Sequence, residues 1–338
     1  MVTSIKDVKR TAISKKLADM KLIQQQLISN EQKLINACDD QDICKRLQEM
    51  LEDDQKNMGV LETVIVEHGV QEKPNESLQK MIKQAQQMME DSQLSLFEKA
   101  AQHELLKHAQ AGSGLVVHKS AQVVGADVAE AIAPLNTINF ENRAHQEQLK
   151  GILEVLGTRE LTGKEPDQGV WGRVQDAVAA LSGVVGSAVT RTKDDVNIIE
   201  LLQTEHRKVD TLFAEIENAE SPQKIEEFFG QIYKDLFTHS KAEEEVVYPA
   251  VRGYYSQTQE LYDEQSEMRQ VLDDIKATSP SSPEFKNKIK NVKKAVKQHV
   301  QEEEGDMLPT LRNNLSELQM EQMATRFKEV KSRFQQEM

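Results

Sequence analysis

Glycine and proline interrupt this chain so seldom, 15 and 8 residues among 338, that it has little choice but to form long helices. Both residues break helices, by backbone entropy or by a missing N–H. Strand-favouring aromatics are also few, at 4%. A hydrophobic share of 38% suffices for helical bundles, because each helix needs one apolar stripe. The length suggests two domains of roughly 100–200 residues each. The expected fold is all-α: two four-helix bundles joined by an amphipathic linker helix.

Residues 1–160 read as the first bundle. A helix is predicted from about Ile13 to Cys38, with Leu17, Met20, Ile23, Leu27 and Leu34 at helical spacing. A second spans about Asp42 to Glu67 and stops at Gly69. A third is predicted from Glu76 to Gly125, and a fourth from Ala126 to Leu156 with Pro134 as a kink or a delayed start. Residues 161–195 form the linker. Within it Val170, Val174, Val178, Leu181, Val185 and Val189 fall on one stripe, beside Gly183 and Gly186. This 170–189 helix suits packing between domains or between subunits. Residues 196–338 give the second bundle and a C-terminal helix from Ser316. Ser221-Pro222 and Ser282-Pro283 each provide a cap followed by a proline at the first helical position.

A net charge of −14 opposes nonspecific attraction to nucleic acid or anionic membranes, where phosphates need cations. Cys38 and Cys44 are too few for a disulfide scaffold. No stretch approaches the roughly 20 apolar residues of a membrane span, and the N-terminus lacks a signal-peptide core. The expectation is a cytoplasmic protein without nucleic acid or membrane as partner.

The chemistry concentrates in two segments sixty residues apart. HSKAEEEVVYP starts at His239 and HVQEEEGDMLP at His299. Each places Glu at the fourth and fifth positions after His, and Pro at the tenth. Residues four apart on a helix differ by about 40° and can address one point. His239 with Glu243 and His299 with Glu303 are therefore candidate ligand pairs. His206, one turn after Leu201–Leu202, faces inward on the first helix of this bundle. Imidazole with carboxylate suits iron, manganese or zinc, and carboxylates can bridge two ions. A third match, His68 with Glu72, crosses Gly69 and reads as coincidence. Glu244, Glu245, Glu302 and Glu304 are expected to face solvent, one of them supporting a ligand.

These motifs, with TEHRKVD around His206, resemble the hemerythrin-like HHE cation-binding domains over about residues 196–312. The resemblance implies an up-down four-helix bundle around a non-haem di-iron centre. It implies His206, His239 and His299 as ligands, with Glu243 and Glu303 as bridges. The third helix departs from the family pattern: Gln265 stands where a histidine is expected, and Arg269 one turn on. Gln265 offers only a carbonyl oxygen and charged Arg cannot ligate. The implied cofactor is iron, one ion or two, ahead of manganese and zinc.

The N-terminal half more faintly resembles a ferritin-like bundle, through the segment LFEKAAQHELLKHAQ. Its nearest counterparts to that superfamily's ligands are Glu31, Glu52 with Gln55, Glu104, and Asn142 with His145. Both Glu-x-x-His motifs are broken, so this half reads as scaffold without a complete metal site. His103, His108 and His118 either line one side of the third helix or are ordinary surface histidines.

The expected function is a non-haem iron protein that handles or senses oxygen, peroxide or nitric oxide in stress, rather than one that carries oxygen. Phe213, Phe237 and Tyr248 are candidates for limiting water entry. The alternative is a non-enzymatic stress or iron-handling protein acting through helical association. Homo-oligomer contacts would then run through the 170–189 helix or the N-terminal bundle.

Overall fold

The computed structural model describes residues 8–166, 169–185 and 197–338, the side chains of 182–185 excepted. The described residues are helical and include no strand. The N-terminal part contains α1 (Val8–Ala37), α2 (Gln41–His68), α3 (Glu76–Glu90), α4 (Leu96–Val124), α5 (Ala126–Ile132) and α6 (Leu135–Thr162). Helices α1, α2, α4 and α6 pack around one core, lined by residues such as Leu17, Met20, Leu61, Val117 and Ile138.

Two expected helices are each divided. The predicted third helix breaks between Glu90 and Leu96, where Ser95 caps α4 through a reciprocal pair with Glu98. That capping box satisfies two otherwise orphaned N–H groups. Helix α3 is left to lie against α1 and α4. Pro134 splits the predicted fourth helix into α5 and α6, because its ring and missing N–H forbid a continuous ladder. Helix α6 then continues past the expected end, to Thr162.

Helix α7 (Val170–Val185) docks on α6. Val170 and Val174 are buried, while Val178 and Leu181 are only half-buried. Trp171 joins the core and stacks beneath the Arg46 guanidinium at 4.0 Å. The expected continuation through Gly186 and Val189 lies outside the described residues.

The C-terminal part comprises α8 (Ile198–Asn218), α9 (Pro222–Ala242), α10 (Tyr248–Val251), α11 (Thr258–Lys276), α12 (Pro283–Glu302), α13 (Leu308–Asn314) and α14 (Glu317–Glu337). Ser221 and Ser282 cap α9 and α12 as their Ser-Pro pairs predict, accepting from Lys224 N and Phe285 N. Helices α8, α9, α11 and α12 surround the second core, and α14 closes over α8 and α9 while touching α2. The cores above and below the metal-ligand level are apolar: Leu212, Phe213, Phe229 and Phe285 on one side, and Leu202, Val247, Leu311 and Phe327 on the other.

Two five-residue π-helical turns interrupt this bundle, Glu243–Val247 between α9 and α10 and Glu303–Met307 between α12 and α13. They coincide with the repeated sequence segment. Pro249 and Pro309, six residues after each glutamate, cannot supply the N–H of a regular α-turn. The ladder instead closes through wide bonds from Tyr248 N to Glu243 O and from Leu308 N to Glu303 O. Such turns gather at functional sites.

Gly69 marks the junction between the two halves. It ends α2 in the left-handed conformation, at φ 77°. A Cβ there would lie 2.5 Å from Asp235 Oδ1 and 2.6 Å from Gln231 Nε2. Gly69→Ala is expected to lower stability by about 1–3 kcal/mol, measured by urea unfolding. Unchanged stability would mean that the junction can open without cost.

Candidate metal centre

Helices α8, α9 and α12 bring His206, His239 and His299 to one level of the bundle, each nearly buried. The two π-turns present Glu243 and Glu303 between them, both fully buried. His206 Nε2 lies 3.3 Å from Glu303 Oε2, and His239 Nε2 3.1 Å from Glu243 Oε2. One ligand atom each from His206, His239, Glu243 and Glu303 fall within 4.8 Å of one another. On the other side of the carboxylate pair, His299 Nε2 lies 3.2 Å from Glu303 Oε1. Gln265, from α11, donates to Glu243 Oε2 at 2.6 Å. The six expected residues thus share one site: His206 and His299 meet opposite oxygens of Glu303, while His239 and Gln265 meet the same oxygen of Glu243.

Each histidine turns its second nitrogen to an outer carboxylate. His206 Nδ1 donates to Glu304 at 2.8 Å, His239 Nδ1 to Glu205 at 2.7 Å, and His299 Nδ1 to Glu264 at 2.6 Å. This fixes the ring and its tautomer, leaving Nε2 for the centre, as in carboxylate–histidine–metal arrangements. Among the four acids expected at the surface, Glu304 takes the supporting role. Glu244 instead pairs with Arg269 at 2.6 Å, and Arg269 lines the cavity beside the histidines. Glu205 and Glu264 escape a spacing argument because each precedes an inward residue and serves a histidine on a neighbouring helix.

Glu205 is held from two further elements. The Lys331 ammonium on α14 bonds its Oε1, and Glu67 of α2 is buried against it. Burial raises the Glu205 carboxyl, but Lys331 and His239 outweigh that and hold it well below the usual carboxylate range. The His239 ring therefore rests on a charge network that includes the C-terminal helix.

Several polar atoms at the centre are buried without a hydrogen-bond partner: Glu243 Oε1, Glu303 Oε2, His206 Nε2 and Gln265 Oε1. Buried acceptors left alone are costly. A cation among them would satisfy the carboxylate oxygens and the imidazole nitrogens at once, so the residues present fit a metal ion.

The N-terminal bundle carries a second buried polar cluster with a different solution. Glu31, Asn142 and His145 face its middle, as their sequence pattern suggests, and all are buried. Glu52 and Gln55 are exposed, and Glu104 only half-buried. Asp54 and Asn57, two residues on, take the inward positions of α2. From α4 come His103 and Lys107, both fully buried, which corrects the surface reading of His103. His108 is exposed and His118 half-buried. The Lys107 ammonium bonds Asp54 and lies 3.5 Å from Glu31 and 3.3 Å from His145 Nδ1. Burial would discharge Lys107, but Asp54 and Glu31 hold its proton more firmly than usual. The cation of this cluster is a side chain. Lys107→Met strands a buried carboxylate and is expected to cost about 3–5 kcal/mol in urea unfolding. A loss under about 1 kcal/mol would mean that the cluster is solvated.

His68 belongs to neither cluster. Its Nε2 lies 3.0 Å from the Arg10 carbonyl, and burial pushes its pKa down to about 4. The cysteine thiols bond backbone carbonyls, Cys38 to Asp40 and Cys44 to Cys38.

A family model for the hemerythrin HHE cation binding domain matches residues 197–311. The chain is a hemerythrin HHE-domain protein. A Nostoc sp. (strain PCC 7120 / SAG 25.82 / UTEX 2576) protein named "DNA nickase" is 56% identical over 340 residues, covering 99% of this chain and 97% of that protein. The HHE chain is thus similar to that relative in both halves. No solved structure matches it significantly.

Burial opposes the charged imidazolium of His299, but Glu303 outweighs it and raises the pKa to about 9. His206 and His239 are raised in the same way by their carboxylates. For the metal-free protein the sign follows from linkage. The stabilisation is complete below the unfolded value near 6.5 and is lost as pH climbs through about 9. Thermal unfolding of metal-free protein across that window should show falling stability, with a shallower fall in His299→Gln. Identical slopes would remove His299 from the network.

Proposed function

We propose that this chain is a non-haem iron protein whose His/Glu centre, holding one ion or two, reacts with dioxygen, peroxide or nitric oxide in a cytoplasmic stress response. The observation that carries this reading is a cavity of about 30 Å³ that reaches His206, His239, Gln265 and His299. Val209, Leu236, Met268, Leu272 and Val296 make most of its outer wall, with Ser240 and Arg269 beside them. A space of this size beside the histidines has room for a diatomic ligand or peroxide. When bound, iron supplies the electrons for reduction of such a ligand.

The chain's own residues set the conditions. The three histidines offer neutral nitrogens toward the cavity, each ring fixed by its outer glutamate. Glu243 and Glu303 balance the positive charge and reach both sides of the centre. Phe213 packs in the neighbouring apolar core, and with the cavity wall it limits the water beside the metal. Gln265 and Arg269 in place of imidazoles favour turnover or sensing over reversible oxygen carriage, for which the family uses a histidine-rich centre.

Metal content of protein purified without air tests this. His239→Ala and Glu303→Ala should lose most of the metal, whereas His68→Ala should retain it, and only metal-retaining protein should consume oxygen or peroxide. Equal metal in all three variants would overturn the reading.

The relative's name supports a second reading, in which the same centre leads to strand breaks in DNA. Similarity across 99% of the chain makes it worth a direct assay, although the charge of −14 disfavours a long phosphate-binding surface. Plasmid relaxation by wild type and by His239→Ala, with and without oxygen, separates the possibilities. Oxygen-dependent nicking lost in the variant would tie the breaks to oxygen reduction at this site. Oxygen-independent nicking lost in the variant would indicate metal-assisted hydrolysis. Equal nicking by both proteins would place the activity elsewhere.

A further inference from the structure

We propose that Tyr248 is a ligand of the metal centre, entering as a phenolate beside His299 and Gln265. This deepens the metal-centre reading and rests on it. Tyr248 is fully buried. Its Oη donates to Glu303 Oε1 at 2.8 Å, and it lies 3.4 Å from Glu243 Oε2, 3.3 Å from His299 Nε2 and 2.5 Å from Gln265 Nε2. Four expected ligands thus surround one phenol oxygen.

The backbone explains how the phenol arrives there. In an α-helix five residues turn through about 500°, so Tyr248 would stand about 140° round the axis from Glu243. The π-turn closes with Tyr248 N bonded to Glu243 O, which brings the fifth residue back over the first. The second copy of the segment has the same turn but places Leu308 at this position, in the apolar core. A phenol is therefore delivered from one segment only.

The chemistry around the phenol differs accordingly. His206 and His239 bring two imidazoles together. His299 is accompanied by an amide, since Gln265 stands on α11, and is short of one strong donor beside it. A phenolate oxygen is a hard anionic donor suited to ferric iron. On ligation the phenol O–H bond breaks, the proton leaves to solvent, and an oxygen–metal bond forms, with no change in oxidation state at the tyrosine. Gln265, now donating to Tyr248 and Glu243, has its carbonyl oxygen unpartnered. Rotation of its amide would present that oxygen in place of Nε2.

The test uses the full chain, freed of metal, loaded with ferrous iron without air and then exposed to air, which supplies the oxidant. Wild type should develop a visible phenolate-to-ferric charge-transfer band, with tyrosine ring vibrations enhanced when Raman excitation falls within it. Tyr248→Phe should retain iron and lose both signatures. Tyr262→Phe, whose ring stacks edge-on against Tyr248 at 4.9 Å, should retain both. Bound iron in wild type without phenolate vibrations would overturn the proposal and leave the metal centre standing, as would a band that survives in Tyr248→Phe. Failure of wild type to bind iron would overturn both. If Tyr248→Phe does not fold, the wild-type Raman spectrum still decides.

Discussion

Two carboxylates, Glu243 and Glu303, lie without solvent contact in the middle of a four-helix bundle, and much of the C-terminal half is arranged around compensating them. Buried anions are tolerated only when paired and hydrogen-bonded. Three histidines from three helices provide the pairing, and each is backed by a further glutamate. Those outer acids need their own partners, which is why Lys331 of α14 reaches Glu205. Charge compensation thereby extends from the bundle centre to the last helix.

The same requirement is met differently in the N-terminal bundle. There Asp54 and Glu31 are buried beside the Lys107 ammonium, a cation built into the chain. Between Glu243 and Glu303 no lysine or arginine takes that role: Arg269, at the adjoining cavity, is paired with Glu244. Both clusters retain buried polar atoms without hydrogen-bond partners, those of Glu31 and His103 in the N-terminal one and of Glu243 and Glu303 in the C-terminal one. What separates the two is the lysine cation at the middle of the first and the convergence of His206, His239, Glu243 and Glu303 in the second, which directs the metal reading to the C-terminal half.

Much of this was legible in the sequence. The scarcity of breakers indicated the all-α fold, and the repeated His-x-x-x-Glu-Glu segment indicated which side chains would meet. The Ser-Pro starts of α9 and α12 were readable because a cap and a proline act locally. The breaks at 91–95 and at Pro134 were less so, since apolar spacing continues across both. The π-turns were hidden: a regular helix and a π-turn place His239 and Glu243 alike, and the difference emerges only at Tyr248. Glu205 was missed because its partner, His239, lies on another helix. Lys107 was missed because a lysine on a helix is ordinarily at the surface.

If the C-terminal bundle is a metal centre, an ion lies among His206, His239, Glu243 and Glu303. Anomalous X-ray scattering from crystals of iron-loaded protein, measured on both sides of the iron absorption edge, tests it most directly. A peak is expected between those four side chains, and a second beside His299 if two ions bind. Iron peaks found only at surface carboxylates, with the bundle centre empty or filled by water, would contradict it.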